Sequence, residues 1–174
     1  MYPVPPNEAE RLRVLDETGL IFSEPSHNFD RLCRLAAELF DAPMAAVSFL
    51  SKDIQWFKAS IGLDFAMTPR EAAFCNHTIL HEDVLVVSDA SRDHRFETNP
   101  LVTGDPGIRF YAGAPIVFSR SIRLGTLCVL DARPRSFSAL QKKCLKSMGE
   151  SLGTETRLIY AFRMMQRTSL CNAR

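Results

Sequence analysis

No stretch of the sequence reaches the ~18 uninterrupted apolar residues that a membrane-spanning helix needs, and its start, MYPVPPNEAERLR, has no apolar core of a secretory signal. A cytoplasmic location without a membrane partner is the expectation. An excess of one charge is missing too: 21 lysines and arginines meet 20 aspartates and glutamates, for a net charge of +1. No overall field therefore draws the chain to nucleic acid or to an anionic lipid surface, and neither is expected as a partner. The five cysteines, at 33, 75, 128, 144 and 171, are an odd set without a CxxC pair, which suits neither a disulfide framework nor a structural zinc site. Reduced thiols, no metal and no cofactor are expected. Internal repeats and low-complexity segments are absent as well, which sets aside solenoids and other arrays.

What is present is enough apolar material for one core. At 174 residues and 46% hydrophobic content, a single domain buries roughly 70% of the surface that its unfolded chain exposes. The organising stretch is 108–131, IRFYAGAPIVFSRSIRLGTLCVLD, where two apolar runs, 108–118 and 124–130, flank the polar Ser119-Arg120-Ser121. Their β-branched and aromatic content predicts a hairpin. Both alternating sets are apolar, Phe110/Ala112/Ala114/Ile116 and Tyr111/Val117, so the sheet is expected to be covered on both faces. The small residues Ala112, Gly113, Ala114 and Gly125 leave room beside it, for a ligand or for closely packed helices.

In chain order, 1–6 reads as an extended, proline-rich leader. Asn7 with Glu10 resembles a capping box for a first helix that Gly19 ends, 20–25 is a connector, and a second helix spans 28–41 before Pro43. Strands follow at 44–50 and 54–61, with Trp56 and Phe57 on opposite faces of the second. Next come a loop over 62–71, a short helix over 72–81, a short strand over 84–88 and a polar loop over 89–106. Ser138 and Gln141 then cap a long last helix, 139–167, and 168–174 is a tail. Leu145, Met148, Leu152, Ile159 and Phe162 recur along that helix near heptad spacing, a seam suited to pairing with another helix.

The pieces NEAERLRVLDETGL, FDRLCRLAAELFDAPMAAVSFLSKDIQWFKASIGL, TPREAAFCNHTI, VVSDASRDHRFETNPLVTGDPGIRFYAGAPI and LGTLCVLDARPRSFS, in this order, closely resemble the GAF domains at the front of bacterial sensor histidine kinases and diguanylate cyclases. The resemblance covers about 7–155 and departs from the family pattern at 20–27 and 119–122. It implies an α+β fold with a six-stranded antiparallel sheet and helices on its faces, often dimeric through its first and last helices. It also implies one GAF domain over 7–167 that binds a small molecule or a protein partner and signals to an output kinase or cyclase domain.

Chemistry-bearing residues are few. Cys75, His77 and His81 cluster, and His77 and His81 would share a helical face, but three ligands fall short of a metal site, and packing beside the sheet is the plainer role. One branch of the GAF family reduces free methionine sulfoxide with pocket cysteines. Cys75 lies in the corresponding region, yet that branch's glycine-rich cysteine motifs are missing, and Cys128, between Leu127 and Val129, reads as a small buried hydrophobe. A tetrapyrrole photoreceptor would want an adjacent Cys-His pair, which Cys75 and His77 do not form. Asp89, Asp93 and Arg95 read as loop-fixing residues. No glycine-rich phosphate cradle points to a cyclic nucleotide. The expectation is a sensory domain with no catalytic residue, not an enzyme, whose ligand would touch some of Trp56, Phe57, Phe74, Cys75, His77, Arg109 and Tyr111. A thiol-dependent reductase and a pure dimerisation module stand as the alternatives.

Overall fold

Residues 2–172 are described by the computed structural model. The elements are α1 (Glu8–Thr18), α2 (His27–Leu39), β1 (Met44–Leu50), β2 (Ile54–Ile61), β3 (Met67–Pro69), α3 (Cys75–Thr78), β4 (Leu85–Val87), α4 (Pro100–Thr103), β5 (Phe110–Val117), β6 (Arg123–Asp131) and α5 (Ala139–Asn172). The strands form one sheet in the order β3-β2-β1-β6-β5-β4, antiparallel throughout. The expected α+β, six-stranded, helix-clad architecture is the one observed, and the mid-chain hairpin β5-β6 lies inside the sheet with β1 beside it.

Strand periodicity divides the core in two. On one face Ala45, Val47 and Phe49 of β1, Ala112, Ala114 and Ile116 of β5 and Leu127 and Val129 of β6 pack against α1, α2 and α5. On the other, Ala46, Tyr111, Cys128 and Leu130 meet Phe74, Cys75, Ile79, Phe96, Val102 and Ile108, contributed by α3, α4 and the loops around them. Small residues on the first face admit helices, as in one of the two expected uses of that space. A Cβ on Gly149 of α5 would lie 3.0 Å from the Ala114 Cβ, and one on Gly153 would strike the Val117 carbonyl. The helix backbone therefore rests almost directly on β5.

Several local expectations change. Asn7 does not cap α1 with its side chain; its Nδ2 donates instead to the Ser121 carbonyl at 2.9 Å. The Ser138–Gln141 box does close, at 2.8 and 3.2 Å. The helix expected over 72–81 is a 3-10 turn, Arg70–Ala72, followed by the single-turn α3, because Arg70 folds back to bind Asn76 rather than extending a helix. The loop over 62–71 contains β3, which pairs with Ile54–Trp56, and that over 89–106 contains a 3-10 turn, Ala90–Arg92, and α4. In the leader, Tyr2 stacks on the Arg70 guanidinium at 5.1 Å and donates to the Lys52 carbonyl. Helix α5 continues past 167 to Asn172, since 168–172 holds no proline or glycine to stop it. Of the expected tail, 173–174 lies outside the described residues.

The heptad seam is also divided. Leu145, Met148 and Leu152 are buried against the chain's own sheet and Ile159 is partly buried against the same core, whereas Phe162 is exposed, and with it Leu158 and Met165 outside the expected seam, 58 to 62% accessible. Their spacing of four and three residues puts them along one edge of α5. No helix among the described residues is long and apolar enough to cross a membrane.

Candidate functional site

Polar residues interrupt the apolar face of the sheet at one place. Ser48 of β1 and Thr126 of β6 are register partners, and the β1-β2 register shift after Val47 places Gln55 near them. Over this patch α3 lays its first residue, Cys75, 1% exposed. Its Sγ lies 2.8 Å from Thr126 Oγ1, 3.0 Å from Gln55 Nε2, and 3.5 Å from both Ser48 Oγ and the Tyr111 hydroxyl. Gln55 Nε2 also donates to Ser48 Oγ at 2.8 Å, Thr68 Oγ1 donates to Gln55 Oε1 at 3.3 Å, and the Tyr111 hydroxyl meets Thr78 Oγ1 at 2.7 Å. This is a buried, mutually satisfied network with a thiol at its centre.

Its electrostatics follow from the donors. Burial raises the Cys75 pKa, but hydrogen bonding from Cys128, Thr126, Tyr111 and Ser48 outweighs it and brings the thiol down to about 6. Cys128, whose thiol donates to the Ala46 carbonyl at 3.6 Å, is pushed up by the neighbouring Cys75 and by burial, as is the Tyr111 phenol by its own burial and the charge on Cys75. Cys33, on the buried face of α2 with only the Val47 backbone beside its sulfur as a donor, is pushed by burial up to about 12. The difference between Cys75 and Cys33 lies in what surrounds each sulfur.

An apolar vestibule covers the polar patch. Phe74 stacks on Phe96 at 4.2 Å and on Tyr111 at 5.2 Å; Phe57 and Phe65, 5.7 Å apart, stand opposite with Leu63. Together with Leu101, Ile108 and Leu130 they enclose a cavity on which both Cys75 and Cys128 open. Its free volume, about 20 Å³, has room for about one water molecule. Any larger occupant requires Phe57, Leu63 or Phe65 to move.

Of the seven residues expected around a ligand, Phe57, Phe74, Cys75 and Tyr111 line this cavity. Trp56 does not: it sits on the helical side of β2 beneath Phe22 and beside Lys58, as expected from its opposition to Phe57. His77 points out of the cavity toward Phe96, ring edge to ring face at 4.9 Å. There burial and Arg95 hold its pKa down. Arg109 spends Nη1 on the carbonyls of Val102, Gly107 and Ile108 at 2.9 to 3.1 Å, so it braces the loop before β5. Asp89 accepts from Ser91, and Asp93 from Arg95, in the loop-fixing roles expected of them. His77 and His81 share no helical face, because α3 ends at Thr78. Among the described residues no three His, Cys, Asp or Glu side chains converge as metal ligands. Ser48, Gln55, Thr78 and Thr126 went unanticipated, and Cys128, expected as a small buried hydrophobe, is buried and opens on the cavity as well. The signal for three of them is a polar residue inside an otherwise apolar strand, as in MAAVSFL, IQWF and LGTLCVL.

The family model described as GAF domain matches residues 24–155. Among curated proteins, the cyclic di-GMP phosphodiesterase PA2567 of Pseudomonas aeruginosa is 44% identical over 133 residues, 76% of this chain and 23% of that protein. The chain thus spans about a quarter of that relative's length. Among solved structures, the blue-light-absorbing form of the Thermosynechococcus elongatus PixJ GAF domain superposes with a TM-score of 0.63 at 13% identity, covering 99% of each chain. Free methionine-R-sulfoxide reductase of Neisseria meningitidis, in complex with its substrate, superposes at 0.62 and 13%, covering 92% of this chain and 96% of that one. At such identities these structures speak for the fold alone. The Pseudomonas relative corrects one expectation: the matching stretch occurs in a protein named for an enzymatic activity, and the expectation that the protein is not an enzyme is overturned.

Proposed function

The chain belongs to the GAF domain family, and from that premise we propose that it is the sensory part of an enzyme that hydrolyses cyclic di-GMP, setting its turnover according to what occupies or alters the Cys75 cavity. The observation that carries the reading is the 44% identity over 133 residues with the Pseudomonas phosphodiesterase, which spans most of this chain. The geometry supports it. The cavity and the helical layer lie on opposite faces of the same strands, so that Tyr111 and Cys128 face the cavity while their neighbours Ala112 and Val129 face the helices. A change in the cavity that moves β5 or β6 is felt by α5, which packs on β5 with two glycines against the strand. Helix α5 in turn holds α1, through Tyr160 and Glu17 at 3.2 Å. A differential free energy of about 1 to 3 kcal/mol between two packings of this helical layer suffices for a regulatory effect of five- to 150-fold.

The test is hydrolysis of cyclic di-GMP by the full-length protein that bears this chain, with the cavity intact and with Phe57→Trp, which fills it. The expected result is measurable turnover that shifts at least about fivefold on filling, with an unchanged circular dichroism spectrum. A parent without turnover removes the phosphodiesterase reading, and turnover indifferent to Phe57→Trp removes the sensory one.

A further inference from the structure

Two thiols open on one cavity, and each is buried: Cys75 is 1% and Cys128 2% exposed. The cavity is small, with room for about one water molecule, and its other walls are apolar or aromatic, Phe57, Phe65 and Phe74 among them. A sulfur held by a serine, a threonine, a glutamine and a tyrosine within 3.5 Å is built to carry negative charge, since each of these groups has a hydrogen to donate. A structural cysteine in a core needs none of this. Cys33, equally buried, has no comparable cage.

We propose that Cys75 and Cys128 form a peroxide-reactive dithiol, in which Cys75 is oxidised by hydrogen peroxide and Cys128 resolves the product to a disulfide. The cavity fixes the substrate class: hydrogen peroxide is little larger than water, whereas a tripeptide disulfide or an organic sulfoxide does not fit without displacing the aromatic wall. The Cys75 thiolate attacks one peroxide oxygen, an S–O bond forms, the O–O bond breaks, and the departing hydroxide takes the proton that the thiol had released, leaving as water. Sulfur is oxidised by two electrons and the peroxide reduced by two. Cys128 then attacks Cys75 Sγ. The S–S bond forms, the S–O bond breaks, and the hydroxyl leaves as a second water with the Cys128 proton. The lowered pKa of Cys75 suits the role of attacking thiolate, and the charge on Cys75 that helps to keep Cys128 protonated disappears once Cys75 is oxidised. As a signal to a phosphodiesterase the step rests on the sensory reading above, but the thiol chemistry does not.

The experiment treats the reduced chain with stoichiometric hydrogen peroxide, blocks remaining thiols by alkylation after denaturation, and maps every cysteine by peptide mass spectrometry. A Cys75–Cys128 linkage is expected in the parent, with Cys33 and Cys144 still alkylatable. Cys128→Ser should stop at a dimedone-trappable sulfenic acid on Cys75, and Cys75→Ser should lose the reaction. Glutathione disulfide should leave both thiols reduced in the folded chain. The proposal is overturned if the parent oxidises first at Cys33, Cys144 or Cys171, if Cys75 is oxidised without engaging Cys128, or if glutathione adds to Cys75 as readily as peroxide oxidises it. The parent's map decides even where a variant does not fold. A disulfide that forms without changing phosphodiesterase turnover sinks the sensory reading and leaves the dithiol standing, while its failure to form sinks the dithiol whatever the turnover.

Discussion

At the scale of single residues, the site depends on one missing side chain. Gly113 is two residues from Tyr111 on the same face of β5, and the Tyr111 ring folds back over it, so that a Cβ there would lie 2.6 Å from the phenol Cζ. That close approach lets the hydroxyl reach Thr78 and Cys75. Gly113→Ala therefore overpacks the wall and should cost about 1 to 3 kcal/mol. Tyr111→Phe keeps the stacking on Phe74 and loses a buried hydroxyl's hydrogen bonds, about 1 kcal/mol. Much of the clash in Gly113→Ala is with the hydroxyl, so the double variant should be destabilised by less than the sum of the two when measured by urea denaturation. Strict additivity would mean that Tyr111 does not need the space above Gly113. The sequence made Tyr111 and the small residues legible, and period-two alternation separated Trp56 from Phe57 correctly. It hid Cys128, because Leu127 and Val129 make it look like core, while every second residue of β6, Thr126, Cys128 and Leu130, in fact faces the site side. It placed His77 and Arg109 next to the site without giving their direction. Closeness in sequence to Cys75 and Tyr111 says nothing of direction, and their side chains find partners in the outer loops.

Among elements, the joint between α1 and the site is a charge cluster. Glu8 of α1 binds Arg11 with both oxygens at 2.7 and 2.8 Å and also takes Arg70 Nη1; Arg70 in turn donates to the Ser51 carbonyl and to Asn76, the neighbour of Cys75. The two guanidinium groups are 1 and 2% exposed, and Arg11 Nη1 and Arg70 Nη2 have no partner among the described residues. One carboxylate thus serves two buried cations. Glu8→Gln should cost about 3 to 5 kcal/mol in urea unfolding at neutral pH, since both cations would be left without a counter-charge. Burial raises the Glu8 pKa, but its bonds to Arg11 and Arg70 outweigh this and hold it below 4.5. A carboxyl whose folded pKa is depressed stabilises above its unfolded value, and that contribution is lost as the pH falls through the folded one. The stability gap between parent and Glu8→Gln should accordingly narrow as the pH drops below 4.5; a gap constant down to pH 2 would refute the ion-pair account. None of this was visible in the sequence, where Glu8, Arg11 and Arg70 look like solvated charges. Edge strand β3 was equally hidden, because three residues ending in Pro69 become a strand only by pairing with β2.

For the whole molecule, α5 has two jobs on two stretches. Its first half is core: Leu145 and Leu152 are fully buried and the glycines between and beyond them touch β5. A charge at Leu152 would therefore unfold the domain instead of testing association, contrary to what heptad spacing alone suggested. Its second half carries Leu158, Phe162 and Met165 outward, and we propose that two copies of the chain associate along this edge, so that sensory input to one domain would be read by the paired helices. At a two-fold interface each substitution acts twice. Phe162→Glu should raise the dimer dissociation constant at least about a hundredfold, roughly 1.4 kcal/mol per copy. Because Phe162 is 58% exposed in the single chain, the melting temperature extrapolated to low concentration should hold. Sedimentation velocity across a concentration series checks both halves. A parent monomeric at every concentration, or a variant as dimeric as the parent, would move the contact off this edge of α5 and leave the route from cavity to output to run through α1 alone.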